Sequence, residues 1–286
     1  MADRFPPASA CDCHVHVIGP KRVFPLAGGR SYTPMDAPVG ALADMLRRLG
    51  LTRVVLVQPS FYRTDNSCML DAMAQLSAAR GVAVLPPKVA DDELDALDDQ
   101  GIRGLRVNIA TGGAASFDAM RRDIQAAAAS CERHGWHVQI FVPPEAIEPL
   151  APVLLELPVA TVIDHFGLLS PSPEIGALRA LIKLLQSGKI WVKISGAYRI
   201  AADPADPGIG PLARKLCEAN PERIVWGSDW PHTPRHDARA PHAGKDELPF
   251  QDIDTKALLD LVPRWLGDDK LVQQVLVKNP ARLYGF

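Results

Sequence analysis

Three short stretches carry the residues able to do chemistry. The first is Asp12-Cys13-His14-Val15-His16. Side chains of an extended strand alternate faces. Asp12, His14 and His16 therefore share one face, and Cys11, Cys13, Val15 and Val17 share the other. Polar side chains on an inward face are costly unless paired or ligated. Two imidazoles at this spacing make either a compact metal chelate or a hydrogen-bonding platform. The second stretch, Val162-Ile163-Asp164-His165-Phe166-Gly167, ends an apolar run in His165 ahead of a glycine turn. The same alternation sends Asp164 to the helix layer or a loop cap, outside the site. The third, Ile224-Val225-Trp226-Gly227-Ser228-Asp229-Trp230-Pro231-His232, delivers Asp229 at the end of a β-branched run. A carboxylate there is poised to act as a general base or to bind a metal.

A regular framework must position these groups. Short β-branched runs at Cys11–Ile18, Arg53–Ser60, Val82–Val89, Gly104–Ile109, His137–Val142, Val159–His165, Ile190–Ser195 and Ile224–Asp229 read as strands. Between them lie amphipathic segments at Gly40–Leu49, Ser67–Arg80, Phe117–His134, Pro144–Leu155, Ile175–Gln186 and Pro211–Ala219. Strands alternating with helices predict a parallel sheet. Eight of them within residues 1–286 predict an α/β fold, a single-domain (β/α)8 barrel of the TIM type. No G-x-G-x-x-G follows the first strand, which removes an open dinucleotide-binding sheet. Two helical stretches, Thr255–Trp265 and Lys270–Val277, close the chain. Long loops at Gly19–Pro38 and Trp230–Pro249 follow strands one and eight at the end where barrel sites lie, so they read as lids or substrate walls.

Composition narrows the function classes. The 286 residues are 47% hydrophobic and 22% charged, with a formal net charge of −2. No stretch is strongly basic, so neither nucleic acid nor a membrane surface is an expected partner. No run is long enough to span a membrane, and Met1–Pro7 has no apolar core of the signal-peptide type, so the cytoplasm is the expected compartment. Five scattered cysteines without a C-x-x-C read as reduced core residues.

The motifs together resemble the amidohydrolase superfamily, in its type 2 branch. The likeness is to lactonases acting on 2-pyrone-4,6-dicarboxylate, muconolactones and sugar-acid lactones. Carrying it are Asp12-x-His14-x-His16, His165, Trp226-Gly-Ser-Asp229-Trp-Pro-His232, Phe24-Pro25, Tyr32-x-Pro34, Val57-Gln-Pro-Ser60, Thr64-Asp-Asn66, Gly101-Ile-Arg-Gly-Leu-Arg106-Val-Asn108 and Asn279-Pro-Ala-Arg-Leu-Tyr284. The resemblance implies a catabolic hydrolase opening a small carboxylated lactone. Asp229 would be the general base, with His14, His16 and His165 as the electrophilic or hydrogen-bonding set. Arg106 would hold a substrate carboxylate, with Tyr32, Ser60, Arg63, Asn108, Arg199 and His232 as further substrate contacts.

Two departures narrow the substrate. The stretch Ala110–Ser116 lacks the second basic residue of the dicarboxylate enzymes, and Phe141 replaces a tyrosine. A lactone with one main carboxylate is the better expectation. Nothing supplies a binuclear metal site, since strand seven ends Lys193-Ile194-Ser195 without a histidine. One zinc or manganese on His14, His16, His165 and Asp229 is chemically sufficient. A lactone has a good enough leaving group for hydrolysis with no cofactor, which is the expected case. The rival readings are a metal-dependent non-oxidative decarboxylase or hydratase, a lactone isomerase, and a non-catalytic small-molecule binder. Among the rest, Asp65 and Asn66 read as turn and helix-cap residues. His134 and His137 read as structural, Trp191 and Trp226 as core, and Trp230 as a pocket wall. Lys193 fits either the barrel interior or the helix layer. His236 and His242 read as lid or solvated loop residues.

Overall fold

The computed structural model describes residues 5–30, 32–110, 116–234 and 247–286. Eight strands lie in one parallel sheet in chain order: β1 (Cys11–Val15), β2 (Arg53–Val57), β3 (Ala79–Ala83), β4 (Ile102–Asn108), β5 (His137–Phe141), β6 (Thr161–Ile163), β7 (Ile190–Ser195) and β8 (Ile224–Gly227). A helix follows each: α1 (Val39–Leu49), α2 (Ser67–Ala74), α3 (Asp91–Asp99), α4 (Phe117–Glu132), α5 (Ile147–Glu156), α6 (Ile175–Gln186), α7 (Ile209–Ala219) and α8 (Thr255–Leu266). Strands such as Val54–Val57 and Ile190–Ser195 are buried on both faces, the usual state of a sheet covered by helices outside and filled inside. The fold is a (β/α)8 barrel.

The seam between β1 and β8 closes the barrel. The Asp229 amide donates to the His14 carbonyl at 2.8 Å, and the His16 amide donates to the Trp230 carbonyl at 2.8 Å. The Asp12 carboxylate accepts the Ser228 amide at 2.9 Å and the His14 amide at 3.2 Å. Strand β1 is irregular between Asp12 and Val15 in its pairing with β2. The backbones approach so closely here that a Cβ at Gly227 would lie 2.6 Å from His14 Cβ and 2.7 Å from His14 N.

Several boundaries differ from the sequence reading. Strand β3 starts at Ala79, inside the expected helix, and ends before Pro86-Pro87, which cannot continue a ladder. Helix α2 accordingly stops at Ala74. Helix α3 was not anticipated: only Leu94 and Leu97 of its nine residues are buried, too few for a hydrophobic period, while Asp91, Asp92 and Glu93 favour its N-terminus electrostatically. Strands β1, β6 and β8 end earlier than expected, at Val15, Ile163 and Gly227. His16, His165 and Asp229 therefore sit just beyond strands. His165 and Asp229 occupy the left-handed region, with φ of 50° and 64°. Such conformations cost non-glycine residues about 1–2 kcal/mol and persist only where neighbours hold them.

The two long loops meet. Thr33 and Pro34 pair in parallel with Glu247 and Leu248, and Lys21 Nζ lies 3.0 Å from Glu247 Oε1. At the opposite end the chain terminus plugs the barrel: Tyr284 is fully buried and stands edge-on to His137, ring centroids 5.3 Å apart. His137 is thus structural, as expected. Trp191 and Trp226 are core, and all five cysteines are buried and free.

Gly227→Ala is expected to open the seam, lowering stability by about 1–3 kcal/mol and displacing His14. Thermal unfolding together with an activity assay checks it.

Candidate functional site

Asp229 is the centre of the cluster. Its carboxylate is fully buried, and its two oxygens have different neighbours. Oδ2 accepts the Tyr198 hydroxyl at 2.7 Å and the Arg199 Nε–H. Oδ1 has no hydrogen-bond partner among the described residues; it lies 3.7 Å from His14 Nε2 and 3.5 Å from His16 Nε2. Burial pushes the Asp229 carboxyl up, but the Arg199 guanidinium against it outweighs burial and holds it well below the usual carboxylate range. Asp229 is therefore ionised at any ordinary pH.

The imidazoles are oriented from behind. His16 Nδ1 lies 2.7 Å from the Val57 carbonyl, which can only accept. That nitrogen therefore donates, and Nε2 is the atom turned to Asp229. His14 Nδ1 faces Asp164 Oδ1 at 3.4 Å. Burial, assisted by Lys193, depresses the His14 pKa well below the ordinary histidine value, so the ring is neutral. His165 Nδ1 is 2.9 Å from Ser195 Oγ, and its ring lies 4.7 Å from that of His14 and edge-on to Phe141 at 5.1 Å. Burial pushes its pKa down to about 4.

A cleft of about 330 Å³, counted with its open mouth, adjoins this cluster. It is lined by His16, Tyr32, Ser60, Arg106, Asn108, His165 and Arg199, all expected from sequence, and by Pro59, Phe61, Phe141 and Thr233. Arg106 is buried, with Nη1 donating to the Gln58 carbonyl at 3.2 Å, Nη2 3.5 Å from Asp164 Oδ2, and Nε without a partner among the described residues. Burial lowers its pKa. Arg199 Nη2 donates to Thr233 Oγ1 at 3.0 Å.

Other expected residues lie elsewhere. Arg63 is exposed and outside the cleft, pointing toward Gly29. His232 backs onto the ring of Tyr198 at 5.5 Å, and its Nε2 lies 2.8 Å from Thr255 Oγ1. With Trp230 it lines a separate groove beside α1. Asp65 Oδ1 accepts the Ser67 amide at 3.1 Å, the turn role expected, whereas Asn66 makes no cap and instead ties Val84 to the loop. His236 and His242 lie outside the described residues.

The main correction concerns Asp164. The alternation argument sent it outward, but Asp164 is still extended and follows Val162 into the barrel, and it is His165, with φ of 50°, that breaks the alternation and turns inward beside it. Asp164 is 1% exposed and accepts the Gln139 amide at 3.0 Å. Lys193 points into the barrel, donating to the Cys13 carbonyl at 2.8 Å and to Gln139 Oε1 at 2.7 Å. Sequence reading also passed over Tyr198 and Thr233. The only signal for Tyr198 is its place beside Arg199 after a strand.

The donor set fits a divalent cation. His14, His16 and Asp229 offer ligand atoms within 4.8 Å of one another, and His14 with Asp164 and His165 forms a second such group. A carbonyl behind His16 and a carboxylate behind His14 are the usual supports of ligating histidines.

Comparison with known proteins adds to the geometry. Residues 11–286 match the sequence family described as amidohydrolase. A 4-sulfomuconolactone hydrolase from Rhizobium radiobacter is 33% identical over 98% of this chain and 91% of its own length. A 2-pyrone-4,6-dicarboxylate hydrolase from Comamonas testosteroni is 32% identical over 97% and 90%. A crystal structure described as a probable 2-pyrone-4,6-dicarboxylic acid hydrolase from Acinetobacter baumannii, with citric acid bound, superimposes with a TM-score of 0.80 at 28% identity, over 97% of this chain and 100% of that one.

The buried neutral histidines set an acid limit. His165 and His232 each hold a pKa of about 4 against 6.5 when free. A depressed pKa contributes stability that is full above 6.5 and is lost as pH falls toward 4, because only the unfolded chain takes up the protons. On the order of 3 kcal/mol per imidazole is at stake. Tm should fall steadily from pH 6.5 to pH 4, and His232→Gln should flatten that fall, which thermal melts across this range read directly.

Proposed function

As a member of the amidohydrolase family, the chain is a hydrolase that opens cyclic esters, and we propose that its substrate is a small lactone bearing an anionic group and that Asp229 activates the attacking water. The observation that carries the mechanism is the convergence of Asp229 Oδ1, His14 Nε2 and His16 Nε2 beside a cleft that contains Arg106. A water among these atoms donates one proton to Asp229 Oδ1 and the other to His14 Nε2, and turns a lone pair toward the cleft.

The substrate's anionic group pairs with Arg106, with Asn108, Ser60 and Tyr32 completing the surroundings. His165 donates a proton-bearing Nε2 to the lactone carbonyl, with Ser195 fixing its other nitrogen. Water gives a proton to Asp229 as its oxygen adds to the carbonyl carbon. The tetrahedral intermediate collapses by breaking the ring C–O bond, and the leaving alkoxide takes that proton back. Arg199 and Tyr198 keep the Asp229 carboxylate aimed throughout. The product is a hydroxy acid, and each turnover releases one proton to solvent.

A zinc or manganese ion, when bound, would be held by His14, His16 and Asp229 with His165 adjacent, and would supply Lewis-acid polarisation of the carbonyl. We propose that turnover needs no metal, because Arg199 already neutralises Asp229 in place of a cation. Among the described residues no helix is long and apolar enough to cross a membrane. Five free buried cysteines fit a reducing compartment, and the cytoplasm belongs to the same proposal.

Proton release from a panel of muconolactone-, pyrone- and sugar-acid-type lactones tests this reading. One should turn over, and Asp229→Asn should keep its binding while kcat falls by about 10²–10⁴. Near-normal turnover by Asp229→Asn would remove Asp229 from the role of base. Protein stripped by a chelator, with metal absence checked by elemental analysis, should retain full activity; loss restored by zinc or manganese would overturn the metal-free part.

A further inference from the structure

We propose that Asp164 is a positioning residue that fixes the tautomer of His14 and so makes Nε2 an acceptor, which rests on the hydrolytic reading above. The argument follows the donors around its two oxygens. Lys193 can only donate, so Gln139 Oε1, 2.7 Å from its Nζ, must be the amide oxygen. The Gln139 NH₂ is then turned to Asp164 Oδ2, 3.0 Å away. Arg106 Nη2, a second obligate donor, lies 3.5 Å from the same oxygen. On the other side, Oδ1 meets the Lys193 ammonium at 3.9 Å and His14 Nδ1 at 3.4 Å. Neither His14 Nδ1 nor Asp164 Oδ1 has a hydrogen-bond partner among the described residues, so each is the other's nearest complement. A carboxylate held by three fixed donors accepts from the fourth neighbour as well. His14 therefore carries its proton on Nδ1 and leaves Nε2 bare, 3.7 Å from Asp229 Oδ1.

One carboxylate thereby serves two parts of the site. It sets the polarity of the imidazole that faces the water, and it steadies the guanidinium that faces the substrate anion. Burial pushes the Asp164 carboxyl up, but His14 and Lys193 outweigh that and hold it ionised. Burial brings Lys193 down to about 8, opposed by Asp164, so the ammonium persists at neutral pH.

Asp164→Asn gives a specific outcome. The amide oxygen must stay toward Gln139 and Arg106, both obligate donors, so the amide NH₂ faces His14. His14 then has to accept at Nδ1 and move its proton to Nε2. The test begins with the unaltered protein. Long-range ¹H–¹⁵N spectra of histidine-labelled enzyme, with His14 assigned by its absence in His14→Gln, should show a protonated Nδ1 and a bare Nε2. In Asp164→Asn the two should exchange, kcat should fall by about 10³–10⁴, the scale for a wrong imidazole tautomer, and KM should change little. A proton on Nε2 of neutral His14 in the unaltered enzyme would overturn the proposal even if Asp164→Asn fails to fold. Unchanged kcat in a folded Asp164→Asn would overturn it too. A purely structural Asp164 would lower Tm and leave the tautomer and the kcat-to-KM split alone. Failure of Asp229→Asn to lose turnover would instead strike the hydrolytic reading, since the His14 spectrum does not depend on it.

Discussion

The seam between the first and last strands is the constraint on which the rest of the molecule depends. A parallel barrel needs a final pair of strands to remove its two edges. Here that pairing is made by the backbones of His14, His16, Asp229 and Trp230, with the Asp12 carboxylate receiving the amides of His14 and Ser228. The residues that close the barrel thus carry the reactive side chains. Burial brings the Asp12 carboxyl up to about 6, despite two amides that favour its charge. The site's geometry and the closure of the fold are one set of hydrogen bonds.

Beneath the reactive cluster the barrel interior holds a column of charge. Lys193, Gln139 and Asp164 lie below the imidazoles, and Tyr284 and His137 fill the floor. A buried ammonium and carboxylate are expensive to desolvate, and a well-packed apolar filling is often the more stable alternative. Their presence points to orientation rather than stability. Asp164 Oδ1 lies 3.4 Å from His14 Nδ1, and on the tautomer proposal an apolar filling would leave the choice of protonated nitrogen free.

Much of this was legible in the sequence because it rests on type and spacing. His14, His16 and Asp229 are picked out by type and spacing, but the alternation behind the first two is broken: Cys11 and Cys13 pack inside the barrel with Tyr284, and the irregularity between Asp12 and Val15 is what brings His14 into the interior too. Seven expected residues line the cleft. Asp164 was misread because His165 was taken as the inward member of the alternation, whereas Val162 and Asp164 are the inward pair of the extended backbone. The positive φ at His165 brings that ring inward as well, and no composition or period announces such a turn. Helix α3 was hidden for a different reason: its buried surface is only Leu94 and Leu97, and its acidic face carries no hydrophobic period. Arg63 and His232 were plausible by proximity in sequence, but the backbone turns them to other surfaces.

The walls of the cleft have a separate origin from its floor. Tyr32, Ser60, Asn108 and Phe141 arise from the loop after β1 and the ends of β2, β4 and β5. The hydrolytic apparatus, by contrast, is contributed by β1, β6, β7 and β8. The two meet where the Phe141 ring stands edge-on to His165 at 5.1 Å, so a change of side chain at that wall position is felt by the floor as well.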